Sequence, residues 1–257
     1  MIFDTHAHYD DDAFDIDRNE LLRDIKNKGV EFIVNVGASM DSTKKTFELA
    51  KEYPFIYAAI GVHPSETEGL LEEDMQWLKN HASEEKVVAI GEIGLDYYWP
   101  EPEPSVQKKW FERQLQLASE VKLPVIIHSR DAAKDTVDVL KGWQKDLAGG
   151  VIHCFSYTKE IAREYLNMDY YFGIGGVLTF KNARKLIEAV EYIPMERILL
   201  ETDCPYLAPE PYRGKRNQSA YIDFVAQKLS EIKKISKEEV LTQTMQNAKE
   251  FYGIEKF

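Results

Sequence analysis

The chain has six histidines, and five of them fall in one kind of place. His6, His8, His63, His128 and His153 each follow a short apolar run, whereas His81 lies inside an amphipathic segment with no evident role. Imidazole is a proton-transfer group near neutral pH and a common ligand for divalent metals. His6 and His8 are two apart, so on a strand they share a face and reach one ion. Two carboxylates repeat the placement, Glu92 after Val87–Gly91 and Asp203 after Ile198–Leu200. An acid at the end of a buried strand is costly unless paired, hydrogen-bonded or metal-bound. Taken singly, each of these residues is as readily a satisfied polar group. Taken together, His6, His8, Glu92, His128, His153 and Asp203 form a donor set for divalent cations. Glu92 falls between the His6/His8 pair and the His128/His153 pair, where its two oxygens suit a bridge. Two ions ~3.5–4 Å apart clamp the attacking and leaving oxygens in displacement at phosphorus.

The elements that must position these groups alternate. Eight runs, at 1–3, 32–36, 56–61, 87–91, 124–127, 151–152, 170–174 and 198–200, are rich in β-branched and apolar residues. Several are apolar throughout, as expected of strands covered on both faces. Segments of helical spacing separate them, at 18–28, 42–52, 72–82, 107–121, 131–144, 159–166 and 181–190. Alternation of this kind implies parallel βα units, and eight of them in about 200 residues is the size of an α/β (β/α)8 TIM barrel. All strands then point one way, and the five histidines converge at one mouth. Residues 219–257 read as two further helices, the second opened by a Ser236/Glu239 capping box. No Gly-, Ser- or Pro-rich linker divides the chain, so residues 1–257 are expected to form one domain. An open doubly wound sheet is disfavoured, because Asp4-Thr5-His6-Ala7-His8 is no glycine-rich phosphate loop.

With 257 residues, 44% hydrophobic and 30% charged, the composition is that of an ordinary globular protein. A net charge of −12 argues against broad nucleic-acid binding, yet leaves room for a phosphate held locally by metals and a few basic side chains. No apolar run approaches the ~18 residues of a membrane span. The first residues lack a basic region, and the two cysteines do not make a disulfide scaffold, so a cytoplasmic protein is expected.

Six motifs occur in order: Asp4-Thr5-His6-Ala7-His8, Gly61-Val62-His63-Pro64, Gly91-Glu92-Ile93-Gly94-Leu95-Asp96, His128-Ser129-Arg130, His153-Cys154-Phe155-Ser156, and Glu201-Thr202-Asp203-Cys204-Pro205 with Arg213-Gly214-Lys215-Arg216-Asn217 behind it. Over the whole length this set resembles the TatD-like metal-dependent deoxyribonucleases of the amidohydrolase superfamily. The resemblance implies a hydrolase with two divalent ions per chain, of the Zn, Mg, Mn or Ni type. His6 and His8 would hold one ion and His128 and His153 the other, with Glu92 shared. Asp203 would bind metal and act as general base toward water, so that Glu92 and Asp203 are the catalytic acids. The implied substrate is DNA or another phosphodiester, cleaved in the manner of a 3′-to-5′ exonuclease. No membrane and no obligate protein partner are implied.

Other residues are candidate substrate contacts. His63 reads as a phosphate or leaving-group contact, and Arg130, two beyond His128, as a bidentate phosphate clamp. Arg213, Lys215 and Arg216 form the densest basic patch of an acidic chain and read as a backbone-phosphate contact. Glu201 either orients a ligand or pairs with an arginine. Tyr97, Tyr98, Trp99 and Phe155 either stack on nucleobases or pack their loops. Cys154 and Cys204 each follow a ligand by one residue and should turn away from the mouth. The residues also leave open the same metal chemistry on a different bond, as in an esterase or deacylase acting on D-aminoacyl-tRNA. A non-enzymatic metal or nucleic-acid binding module is a further reading.

Overall fold

The computed structural model describes residues 1–254. Eight strands run in parallel and pair strictly in sequence order: β1 (Ile2–Ala7), β2 (Val30–Val36), β3 (Ile56–Ile60), β4 (Val87–Asp96), β5 (Val125–Arg130), β6 (Gly150–Ile152), β7 (Tyr171–Ile174) and β8 (Ile198–Leu200). The bridge between Ala7 and Cys204, and the bond from His8 N to Cys204 O at 2.8 Å, join the first strand to the segment after the last. The result is the (β/α)8 barrel expected from the alternation of runs. Seven helices cover it: α1 (Arg18–Asp24), α2 (Met40–Glu52), α3 (Glu72–His81), α4 (Pro104–Val121), α5 (Ala133–Trp143), α6 (Lys159–Leu166) and α7 (Arg184–Tyr192). Their apolar stripes, such as Trp110, Phe111, Leu115 and Ala118 of α4, bury against the outer face of the sheet.

Inward positions make a second cluster. Phe3, Val34, Tyr57, Ile126, Val151, Tyr171 and Leu199 pack together with Tyr252 and Ile254. These last two follow α8 (Ile222–Lys233) and end α9 (Lys237–Tyr252) or lie just beyond it. The Tyr252 hydroxyl donates to Thr5 O at 3.0 Å, so the chain's end closes the barrel opposite the mouth. Helix α9 opens on the expected capping box, with Ser236 Oγ accepting from Glu239 N and Glu239 Oε2 accepting from Ser236 N. Asn247 ties α9 to the start of β8 through a buried bond to Ile198 O at 2.9 Å and a part-buried one to Met195 O, just before the strand, at 2.7 Å.

Strands β1, β4 and β5 run further than hydrophobicity alone marks, β5 as far as Arg130. β1 continues to Ala7 through Asp4, Thr5 and His6, and β4 continues to Asp96 through Glu92; every residue of both is buried. Their polar side chains interrupt the apolar runs, but other polar groups satisfy them, so the ladders persist. Asp4, for example, accepts from Thr202 Oγ1 at 2.6 Å and from Thr202 N at 3.1 Å.

Candidate metal centre

From Ile126, Val151 and Leu199, two residues on along the chain bring His128, His153 and Glu201 to the mouth, and Asp203 follows Glu201. Asp203 has φ +59, a left-handed conformation that Asp tolerates better than most residues. Its Oδ1 lies 3.2 Å from His8 Nε2, 3.5 Å from His153 Nε2 and 3.8 Å from His6 Nε2. His6 Nε2 and His8 Nε2 are 3.1 Å apart. Glu92 enters from the other side, with Oε2 3.5 Å from His6 Nε2 and Oε1 2.7 Å from His128 Nδ1 and 3.8 Å from His153 Nε2. The six residues of the proposed donor set therefore do gather. Glu92 links the strand-one histidines to the later ones. His128 and His153 do not meet directly: their ring centroids are 6.5 Å apart, and His128 groups with Glu92 and His63.

Outer partners fix the rings. His8 Nδ1 lies 2.8 Å from the Val36 carbonyl, which accepts its proton and leaves Nε2 as the free donor atom. His128 Nε2 faces Asp96 Oδ2 at 3.0 Å. His153 Nδ1 lies 3.0 Å from Glu201 Oε1, the same oxygen that accepts from Cys154 N at 2.6 Å. Glu201 thus lies against His153 and the Cys154 backbone and does not pair with an arginine. His63 is set the opposite way. Ser65 N donates to its Nδ1 at 3.1 Å, so Nε2 carries the proton and points a hydrogen-bond donor at the site. Burial, with the charge of His128 beside it, lowers its pKa to about 3, and the ring stays neutral.

Burial opposes charge throughout the cluster; at His6 it prevails, with the charge of His153 adding to it, whereas at four other groups the neighbours override it. Burial alone would lower His8, but the hydrogen bond and charge of Asp203 push it up to about 9. Burial likewise opposes His153, which Glu201, Glu92 and Asp203 raise to about 10. Burial works against ionisation of Glu92, yet His153 and His128 hold it well below the carboxylate range. Burial also opposes Asp203, which His153 and His8 keep ionised. The arrangement is a buried mesh of carboxylates and imidazoles whose donor atoms are spaced 3.1–3.8 Å apart around Asp203 Oδ1. Ligands at ~2.0–2.2 Å from a divalent ion stand about 2.9–3.5 Å from each other, so nitrogen and oxygen donors of this kind fit such ions with little movement.

The mouth is an open cavity of about 980 Å³ that His63 and Arg130 line, as the sequence suggested. Trp99, one of the rings read as a stacking candidate, lines it too, as do Asp96 and Tyr206, which the sequence reading did not single out. Asp96 was discoverable, since it stands an even four residues from Glu92 on one strand. Arg213, Lys215 and Arg216 do not line the cavity: Arg216 is held by Asp17, with Nη1 2.7 Å from Oδ1, and Arg213 lies over the Phe180 ring at 4.2 Å. An acid thus holds Arg216 and an aromatic ring underlies Arg213. Phe155 is no stacking surface, being buried against Phe172 and Tyr165. Cys154, two residues beyond the end of β6, takes φ +44 and gives its backbone N–H to Glu201, and it is not among the residues that line the cavity; burial with the charge of Asp203 keeps its thiol protonated.

Comparison with known proteins agrees with this geometry. The family described as "TatD related DNase" matches residues 3–253. The chain is 46% identical over 254 residues to the uncharacterized metal-dependent hydrolase YabD of Bacillus subtilis, covering 99% of this chain and 100% of YabD. It is 35% identical to the uncharacterized metal-dependent hydrolase YcfH of Escherichia coli K12, covering 99% and 97% of the two chains. The crystal structure of YjjV, a TatD homologue from Escherichia coli K12, superposes with a TM-score of 0.93 at 29% identity, covering 99% and 98%. With its barrel, its mouth of convergent histidines and acids, and these relatives, the chain belongs to the TatD family of metal-dependent hydrolases.

Proposed function

We propose that this hydrolase cleaves DNA phosphodiester bonds, working inward from a chain end in the manner of a 3′-to-5′ exonuclease. Two divalent ions, of the Zn, Mg, Mn or Ni type, would supply activation of water and neutralisation of charge at phosphorus when held by His6, His8, Glu92, His128, His153 and Asp203. One observation carries the division of labour. The Asp203 side chain is 18% exposed and that of Glu92 only 4%. Asp203 therefore reaches both the imidazole cluster and the solvent of the cavity. Ionised by its neighbours, it orients a water and accepts its proton as the oxygen attacks phosphorus. Glu92, buried between two sets of imidazoles, holds them in place. His63 Nε2–H donates to a phosphate oxygen or to the leaving oxygen. Arg130 holds a flanking phosphate, and it has no ion pair with a carboxylate among the described residues. No helix of the described residues is long and apolar enough to cross a membrane, and both cysteines are free, which suits a cytoplasmic enzyme.

The test pairs two substrates, each with and without chelator: an end-labelled single-stranded oligonucleotide and a D-aminoacyl-tRNA. Chelator-sensitive shortening of the oligonucleotide is expected. Chelator-sensitive release of the amino acid with the oligonucleotide left intact would replace the nuclease reading with the deacylase one.

A further inference from the structure

The mouth has two unlike sides. The segment after β1 brings Asp10, Asp11 and Asp12 to the cavity and the first turns of α2 bring Asp41 and Lys45, the last facing Asp12 at 3.3 Å. In an eight-stranded barrel paired in sequence order, the loops after β4 and β5 lie across from these. They bring Trp99 and Arg130. The Arg130 guanidinium sits 3.7 Å above the ring of Tyr98, and the Tyr98 and Trp99 rings meet edge to face at 4.9 Å. Tyr98 and Trp99 are 53% and 56% exposed, among the most exposed aromatic rings of the described residues.

This loop is tied to the metal centre and to the barrel. Tyr98 N donates to Asp96 Oδ1 at 3.0 Å, while Asp96 Oδ2 faces His128 Nε2. Tyr97 N donates to Arg130 O at 2.9 Å, and the Tyr97 hydroxyl donates to Asp135. Gln107, buried in α4, closes the loop by bonding Asp96 O at 2.9 Å and Pro102 O at 2.7 Å. The rings are thus exposed on a braced backbone next to the ligands, at no packing advantage to the fold.

We propose that Tyr98, Trp99 and Arg130 form a nucleotide subsite, in which Trp99 stacks on a base and Arg130 binds the adjoining phosphate. The assignment rests on the phosphodiesterase reading above and gives the substrate a direction. Phosphates run out over the β4 and β5 loops, where a cation is offered. They do not run over the β1 and β2 loops, where aspartates repel them. A strand held this way ends at the metal centre, so the acidic side receives a terminal residue with no further phosphate.

The experiment measures binding by fluorescence anisotropy, with the full chain in a divalent cation. Two labelled strands of equal length and phosphorothioate linkage are compared, one bearing bases and one abasic. Base stacking on an aromatic ring predicts that the base-bearing strand binds about tenfold tighter. Trp99→Ala should erase that gap, Trp99→Phe should keep most of it, and Arg130→Gln should weaken both strands alike. Equal binding of the two strands by the unaltered chain overturns the subsite, as does a gap that survives in Trp99→Ala. Cleavage of ordinary phosphodiester strands is followed in parallel. Base-dependent binding without any cleavage would sink the nuclease reading and leave the subsite; cleavage with base-indifferent binding would do the reverse.

Discussion

Gly173→Ala puts a number on the part that Glu201 plays. Gly173 lies on β7 with its missing side chain aimed at the Glu201 carboxylate: a Cβ there would stand 2.0 Å from Oε2 and 2.5 Å from Cδ. Ordinary contact begins near 3.4 Å, so the carboxylate must retreat by about 1.4 Å. Glu201 is buried and its Oε1 holds Cys154 N and sits beside His153 Nδ1. Displacing it removes a charged hydrogen bond worth about 1.5–3 kcal/mol, and overpacking adds about 1–3 kcal/mol. The expected loss of stability is therefore about 3–5 kcal/mol, read as a fall in the urea midpoint with the slope unchanged. The outer partner of a metal-binding imidazole contributes about 10- to 100-fold in metal affinity, so calorimetric titration with Mn or Zn should show a loss of that size. Glu201→Gln keeps the volume and an acceptor for Cys154 N but removes the charge, and it should show the affinity loss with less destabilisation. Wild-type affinity in both variants would refute the idea that Glu201 positions His153.

Three further outcomes are expected. Asp203→Asn should lower turnover by about 10²- to 10⁴-fold, the share of a general base, with circular dichroism unchanged; Glu92→Ala should abolish both turnover and tight cation binding. In the metal-free chain His8 and His153 have pKa values of about 9 and about 10, both raised above 6.5. The stability their protons confer is complete below pH 6.5 and is lost as pH rises through 9 and 10. The melting temperature should fall over that window, and cation binding at pH 8 should release protons, measured in buffers of different ionisation enthalpy. Asn247→Ala leaves the buried Ile198 carbonyl and the half-buried Met195 carbonyl without this donor and should cost about 1–3 kcal/mol in denaturant unfolding while sparing the metal centre.

Much of this molecule is legible before folding. Apolar runs long enough to be strands, set between amphipathic stretches, require βα units, because a strand buried on both faces needs helices to cover it. Parallel strands share a direction, so histidines and acids at their ends must converge, and the donor set follows from type and position alone. Sequence also marked Glu201, whose even spacing from Asp203 places it on the same side. The rest depends on distances between residues far apart in the chain. The partners of Arg216 and Arg213 are Asp17 and Phe180, and no spacing rule foretells such pairs. The orientation of His63 hangs on Ser65, whose N–H and hydroxyl both meet Nδ1, and that of His128 on Glu92 and Asp96, one facing each ring nitrogen. Which donor an imidazole presents, and which cation is free to meet a substrate, are settled by side-chain contacts within a few ångströms, and only the closed barrel brings those into being.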